Sequence, residues 1–235
     1  MMDFYADWLA RISQGGNDDV FIHAFLEKDS KSTSFLFESY DRDRFLTMLK
    51  LFQILPIERL LSAIEEQGYT NSYNTLDVSQ FSDFGKATEA VPEILEFYPQ
   101  GISYSDLGEK LMGEREYEAC RKYGENHARM ASVMSLARLS EKQPKLVYPT
   151  TLGHFLVDYQ IQEKKNLLRA LLLRNPFLQN MVLLTMTGDK AYKDLVTGLA
   201  DTTAKRRRQS IKQLMHFIFA ETNKENLLAQ IDWTV

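Results

Sequence analysis

The residues whose arrangement carries the most chemistry run Asp201-Thr-Thr-Ala-Lys-Arg-Arg-Arg-Gln-Ser-Ile-Lys. Ile211, Leu214 and Ile218 recur at helical spacing and predict a buried stripe. Traced backwards, that stripe reaches Arg207 and Ala204, so Lys205, Arg206, Arg208, Gln209 and Lys212 face away from it. Consecutive cations then occupy the first two turns, the end of a helix where the backbone dipole disfavours positive charge. A polyanion would compensate, because phosphate oxygens can meet both the cations and the free N-terminal amides. Thr202 and Thr203 add hydroxyls within reach of phosphates or base edges. The alternative is a solvated basic face or a localisation-type run.

A second, weaker constellation is Lys122-Tyr-Gly-Glu-Asn-His-Ala-Arg. Asn126, His127 and Arg129 sit near the start of a helical stretch whose inner face carries Met130, Val133, Met134 and Ala137. Asparagine can pair with adenine through two hydrogen bonds and arginine with guanine, while an ordinary surface histidine is the plainer reading of His127. Lys142 and Lys145 fall on a short hairpin where phosphate contact is expected.

The elements that must position these residues divide at about residue 82. Residues 1–82 read as a small α+β unit. A helix is expected over roughly 2–13, strands over Val20–Leu26 and Ser34–Glu38, and helices from about Asp43 to Pro56 and on to Gln67. From about residue 85 a helix, turn, helix, turn, long helix and short-strand pattern occurs twice, dividing the rest into 83–158 and 159–235. In the first copy helices are expected over 86–98, from Ser103 to Gly113 (with Asp106 completing a capping box) and over 116–139, broken near Gly124. Lys145 to Pro149 reads as a strand, and Thr150-Thr-Leu-Gly as a bend and return. In the second, helices are expected from about Gln160, from Pro176 to about Met186, over 190–198, and over 202–220 with Asp201 as cap. Leu227 to Trp233 reads as a strand.

Charge separates the same regions. Residues 1–100 hold 8 basic and 17 acidic side chains, a net of −9, and residues 101–235 hold 20 and 15, a net of +5. Such asymmetry suggests different tasks for the two parts. Apolar runs such as Leu167–Leu173 are interrupted by Arg169 and Arg174, which excludes a membrane span. The acidic N-terminus lacks the pattern of a secretion signal, and the single Cys120 rules out an internal disulfide. A reducing cytoplasm is the expected location.

Gly124-Glu-Asn-His-Ala-Arg-Met-Ala, then Tyr148-Pro-Thr-Thr-Leu-Gly, then Thr202-Thr-Ala-Lys-Arg-Arg-Arg-Gln-Ser-Ile resemble the tandem winged-helix modules of bacterial type II restriction endonucleases and related defence proteins, over residues 85–225. Thr203, Arg206, Arg207, Ser210 and Ile211 match the helix of the second module. The turn of the first is altered to Thr151-Leu152-Gly153, and His216-Phe217 stands where an aromatic-rich helix end is usual. The resemblance implies a mainly α protein with small β wings and a role in recognising or positioning DNA.

Catalytic chemistry finds little support. Glu163-Lys164-Lys165 has the acid-x-lysine spacing of a restriction nuclease, but at an expected helix start, and no Pro-Asp pair accompanies it. His23, His127, His154 and His216 show no metal spacing, and no phosphate-binding glycine loop is present. The expectation is a non-catalytic protein that binds double-stranded DNA without metal or cofactor, in a restriction or anti-phage system or as its regulator. Its acidic N-terminal unit would pair subunits in a homodimer or dock a nuclease or another defence subunit. Two alternatives stand beside it. One is a protein-interaction scaffold of a defence complex. The other is an enzyme holding a divalent metal on Asp18, Asp19, Glu27, Glu38, Asp41 and Asp43.

Overall fold

The computed structural model describes residues 10, 14, 19–27, 41–68, 72, 73, 75, 77–80, 82, 84–188 and 191–235, and three helices with both ends among these residues come first. They are α1 (Asp19–Leu26), α2 (Arg42–Ile54) and α3 (Ile57–Gln67). The stretch expected as a first strand is therefore a helix. Ile22, Phe25 and Leu26 lie three and four residues apart and are all buried, with the Phe25 ring 4.7 Å from that of Phe52. A short apolar run fits a strand and a helix equally, and here the helical stripe finds the partners. The helix expected over 2–13 falls almost wholly outside the described residues, and the strand over Ser34–Glu38 entirely so. Asp41 caps α2 by accepting from the amides of Asp43 (3.0 Å) and Arg44 (3.1 Å). Pro56 separates α2 from α3, and Gly68 ends α3 at φ 62°, the left-handed conformation glycine tolerates.

The middle of the chain runs α4 (Phe84–Glu96), β1 (Ile102–Ser103), α5 (Tyr104–Met112), α6 (Tyr117–Val133), β2 (Ala137–Leu139), β3 (Leu146–Pro149) and α7 (Thr151–Leu156). The strands form an antiparallel sheet ordered β1-β3-β2, pairing Ile102 with Val147 and Arg138 with Tyr148. Ser103 caps α5 as expected, its hydroxyl accepting from the Asp106 amide at 3.2 Å, but the Asp106 carboxylate accepts from that hydroxyl at 2.7 Å in place of the Ser103 amide that the expected capping box would use. Gly124 does not break α6. It lies where α5 crosses: a Cβ there would stand 1.9 Å from the Tyr104 carbonyl, and one on Gly108 1.8 Å from the Cys120 carbonyl. Two helices can cross with their backbones this close only where both lack side chains.

The long helix expected to 139 instead stops at Val133, and the chain turns through Ser135 at φ 58° before β2. Its last expected residues are claimed by sheet pairing with β3. Thr150 then caps α7, accepting from the Gly153 amide at 3.0 Å while donating to the Ser135 carbonyl at 2.8 Å. The bend and return expected at Thr150–Gly153 is thus a helix start.

The C-terminal region contains α8 (Ile161–Leu172), α9 (Pro176–Thr187), α10 (Tyr192–Leu195), α11 (Asp201–Phe219) and a 3-10 helix (Glu225–Gln230). The expected tail strand is replaced by this 3-10 turn and a single parallel bridge between Ala191 and Asp232. Leu228 and Ile231 turn inward, and the Trp233 ring packs 5.6 Å from that of Tyr192. Among the described residues the protein is mainly helical with one small sheet.

A single apolar cluster joins all three regions. α2 packs on α8, α3 on α9, and both α8 and α9 touch α11. Leu167, Leu168 and Ala170–Leu173 fill the middle of this layer, and removing one such leucine side chain costs about 2–5 kcal/mol. Polar links cross it as well. Gln179 donates to the Leu26 carbonyl at 2.8 Å, and Asn175 donates to that of Asp77 at 3.1 Å. Among the described residues, no helix is long and apolar enough to cross a membrane.

Candidate nucleic-acid interface

α11 is fixed at both ends by arginines. At its C-terminal end Arg169 of α8 donates to the carbonyls of Phe217 (2.8 Å) and Ala220, satisfying groups that a helix terminus leaves open. Toward its N-terminal end Arg207 donates to the carbonyls of Thr75 and Val78, the latter at 2.8 Å, and Ser210 donates to that of Gln80 at 2.9 Å. Ala204, Ile211, Leu214, Met215 and Ile218 form the buried stripe read from the sequence, with Arg207 on it.

That anchoring turns the neighbouring cations outward. Lys205 and Arg206 are exposed, and neither forms an ion pair or hydrogen bond with a described residue. Thr202 and Gln209 are exposed as well, and Thr203 is half-buried. Asp201 is the first helical residue rather than the cap. Ala200 holds the cap position without a side-chain hydrogen bond, so the helix opens with amides no side chain covers. Arg208 and Lys212 are drawn to the C-terminal tail. Arg208 donates to the Trp233 carbonyl at 3.2 Å, and the Lys212 ammonium lies 5.2 Å from the Trp233 ring centre.

The first constellation is more engaged. His127 is 1% exposed, with Nδ1 2.8 Å from the Tyr123 carbonyl and its ring 4.2 Å from the Tyr123 ring. His127 is therefore neither a DNA contact nor the surface histidine of its plainer reading. The inward stripe of α6 is Cys120, Gly124, His127 and Ala131, and His127 belongs to it. Asn126 accepts from the Gln80 side chain. Arg129 pairs with Glu125 at 2.6 Å, and Arg121 with Glu118 at 2.9 Å and Glu125 at 3.5 Å. These pairs sit at i,i+3 and i,i+4 spacing, a signal present in the sequence. Lys145 folds back onto the carbonyls of Ser140 (3.0 Å) and Glu141 (2.7 Å), leaving Lys142 exposed on the β2–β3 hairpin.

What the sequence did not reveal is that the two constellations meet. The outer face of α6, the opening of α11 and residues Thr75 and Val78–Gln80 border a cleft of about 240 Å³. Lys122, Glu125, Asn126, Arg129, Arg206 and Arg207 line it. Burial pushes the Arg207 pKa down, and the nearby charges of Arg206 and Arg129 push it further. The charges Arg207 feels most are thus two other guanidinium groups.

Several of the residues behind the catalytic alternatives are engaged elsewhere, while Asp18 and Glu38 lie outside the described residues. Glu163 accepts from the Gln160 amide at 2.6 Å at the start of α8, and Lys165 pairs with Glu221 at 2.9 Å. Asp19 pairs with Arg59. Cys120 is buried, its sulfur 3.7 Å from the Arg115 carbonyl. Among the described residues no three histidine, cysteine, aspartate or glutamate side chains gather as a metal site would require. Compared with protein-family models, curated proteins and solved structures, the chain matches none, so its functional reading rests on its own residues.

Proposed function

We propose that this protein binds double-stranded DNA without catalysing a reaction, and that α11 makes the principal contact. The observation that carries the reading is the division of labour along Lys205–Arg208. Arg207 is committed inward to the carbonyls of Thr75 and Val78, while Lys205 and Arg206 stand exposed, with no partner among the described residues, beside uncapped amides. Cations at this end of a helix oppose its dipole, and a phosphate backbone relieves both.

The order α4-β1-α5-α6-β2-β3, with the sheet arranged β1-β3-β2, supports a winged-helix reading of residues 84–149. α6 would then be its recognition helix and the β2–β3 hairpin, bearing Lys142, its wing. The second unit, 159–235, keeps the helices of such a module and replaces the hairpin by a single bridge. A role in a restriction or defence system remains a proposal from the resemblance.

A second reading has one observation in its favour. Arg121 and Arg129 are already paired with Glu118 and Glu125, so the face of α6 is nearly charge-balanced. Such a face suits a protein partner, which would make the first unit a docking scaffold. Fluorescence anisotropy with a labelled duplex separates the readings. The intact chain should bind with a steep salt dependence. Lys205→Ala with Arg206→Ala should weaken binding across sequences and flatten the salt slope by about 2. Absence of duplex binding at low salt, or a double variant that binds like the parent, would remove the DNA reading and leave the scaffold.

A further inference from the structure

The described residues lining the cleft between α6 and α11 carry a surplus of positive charge. Lys122, Arg129, Arg206 and Arg207 face a single carboxylate, Glu125, leaving a surplus of three positive charges among the described residues. Glu125 is moreover shared between Arg129 and Arg121. Lys122 and Arg206 make no hydrogen bond or ion pair with described residues. Arg207 is fixed through Nη1, and its Nε is buried without a hydrogen-bond acceptor among the described residues. An unmet donor on a charged group is costly to bury, and like charges held together raise that cost.

We infer that this cleft is a binding site for a phosphomonoester group. Such a group carries about −1.5 to −2 charges at neutral pH and offers three acceptor oxygens. That suits three surplus cations better than the single charge of a backbone phosphodiester. Guanidinium groups from two elements can grip it through paired hydrogen bonds, and Lys122 adds a point charge. The roughly 240 Å³ of the cleft falls below the range of about 300–1,000 Å³ usual for a whole drug-sized ligand. It therefore takes the phosphate and the group next to it, with the rest of the ligand outside. Two sources present that chemistry: a free nucleotide, or the 5′-phosphorylated end of a DNA strand.

The site shares Arg206, Arg129 and the outer face of α6 with the DNA reading, and Lys205, which lies outside the cleft, lets the two fail separately. Calorimetric titration with AMP tests it on the intact chain, alongside anisotropy with one duplex carrying either a 5′-phosphate or a 5′-hydroxyl. AMP should bind saturably, and Lys122→Ala, at an exposed position, should weaken it roughly tenfold, more than it weakens binding of the 5′-hydroxyl duplex. Lys205→Ala, outside the cleft, should do the reverse. A 5′-phosphate that tightens duplex binding, with AMP competing, identifies the strand end as the source. A 5′-phosphate without effect identifies the free nucleotide. Two results would overturn the inference: no saturable binding of AMP at millimolar concentration with no gain from the 5′-phosphate, or AMP affinity unchanged in Lys122→Ala. Either would leave the DNA reading intact if the 5′-hydroxyl duplex still binds.

Discussion

Gly124→Ala is the substitution whose sign depends most directly on how α5 and α6 cross. In a helix interior free of neighbours, glycine to alanine should stabilise by about 1 kcal/mol. Here the new Cβ would lie 1.9 Å from the Tyr104 carbonyl oxygen and 2.7 Å from the Gly108 amide nitrogen. Cβ contacts under 3.0 Å are essentially never seen, so the helices must separate by roughly 1 Å, and the obstructing atoms are backbone. Overpacking of that kind costs about 1–3 kcal/mol or more and outweighs the gain in helix propensity. With backbone atoms as the obstacle the cost lies at the upper end of that range, which leaves a net loss of about 2 kcal/mol. Urea denaturation followed by far-ultraviolet circular dichroism would read it as a lower midpoint with an unchanged slope. Gly108→Ala, facing the Cys120 carbonyl at 1.8 Å, should behave alike. A midpoint that rises or stays put in Gly124→Ala would mean that the helices do not meet backbone to backbone, and the argument for the α5–α6 arrangement would go with it.

Arg169→Met should destabilise the protein by about 3 kcal/mol in the same assay, because the Phe217 and Ala220 carbonyls lose a charged donor at the end of α11. Lys164 is 5% exposed, donates to the Leu156 carbonyl at 3.2 Å and has its pKa lowered by burial. The folded state therefore releases this proton more readily than the unfolded one, so its share of stability rises with pH until the ordinary 10.5 is passed. Lys164→Met should then be more stable than the parent at neutral pH, by a margin that shrinks toward pH 10.5. An equal margin at both ends of that range would contradict it. Removal of Trp233, Thr234 and Val235 frees Arg208 and Lys212, and on the DNA reading the salt slope of duplex binding should steepen by up to about 2. An unchanged slope would show that those cations never meet phosphate.

Local signals made much of the helical framework legible. The Ser103–Asp106 cap, Pro56, Pro176 and the glycines at 113 and 188 mark helix ends through hydrogen bonds and backbone conformations that act within a few residues. The stripe from Ala204 through Ile211 to Ile218 was equally readable, and it correctly turned Arg207 inward. The same pattern could not distinguish a helix from a strand at Val20–Leu26, nor see that residues 137–139 would leave their helix for a sheet.

Amino-acid order by itself determined that a run of cations opens a helix, because a stripe's period depends only on neighbours along the chain. Only the tertiary structure decided which of those cations remain exposed. The carbonyls of Thr75, Val78 and Trp233 that engage Arg207 and Arg208 lie far along the chain from them. The same long-range packing brings Lys122 and Arg129 to Arg206, and no local spacing encodes a charge surplus shared between two distant helices.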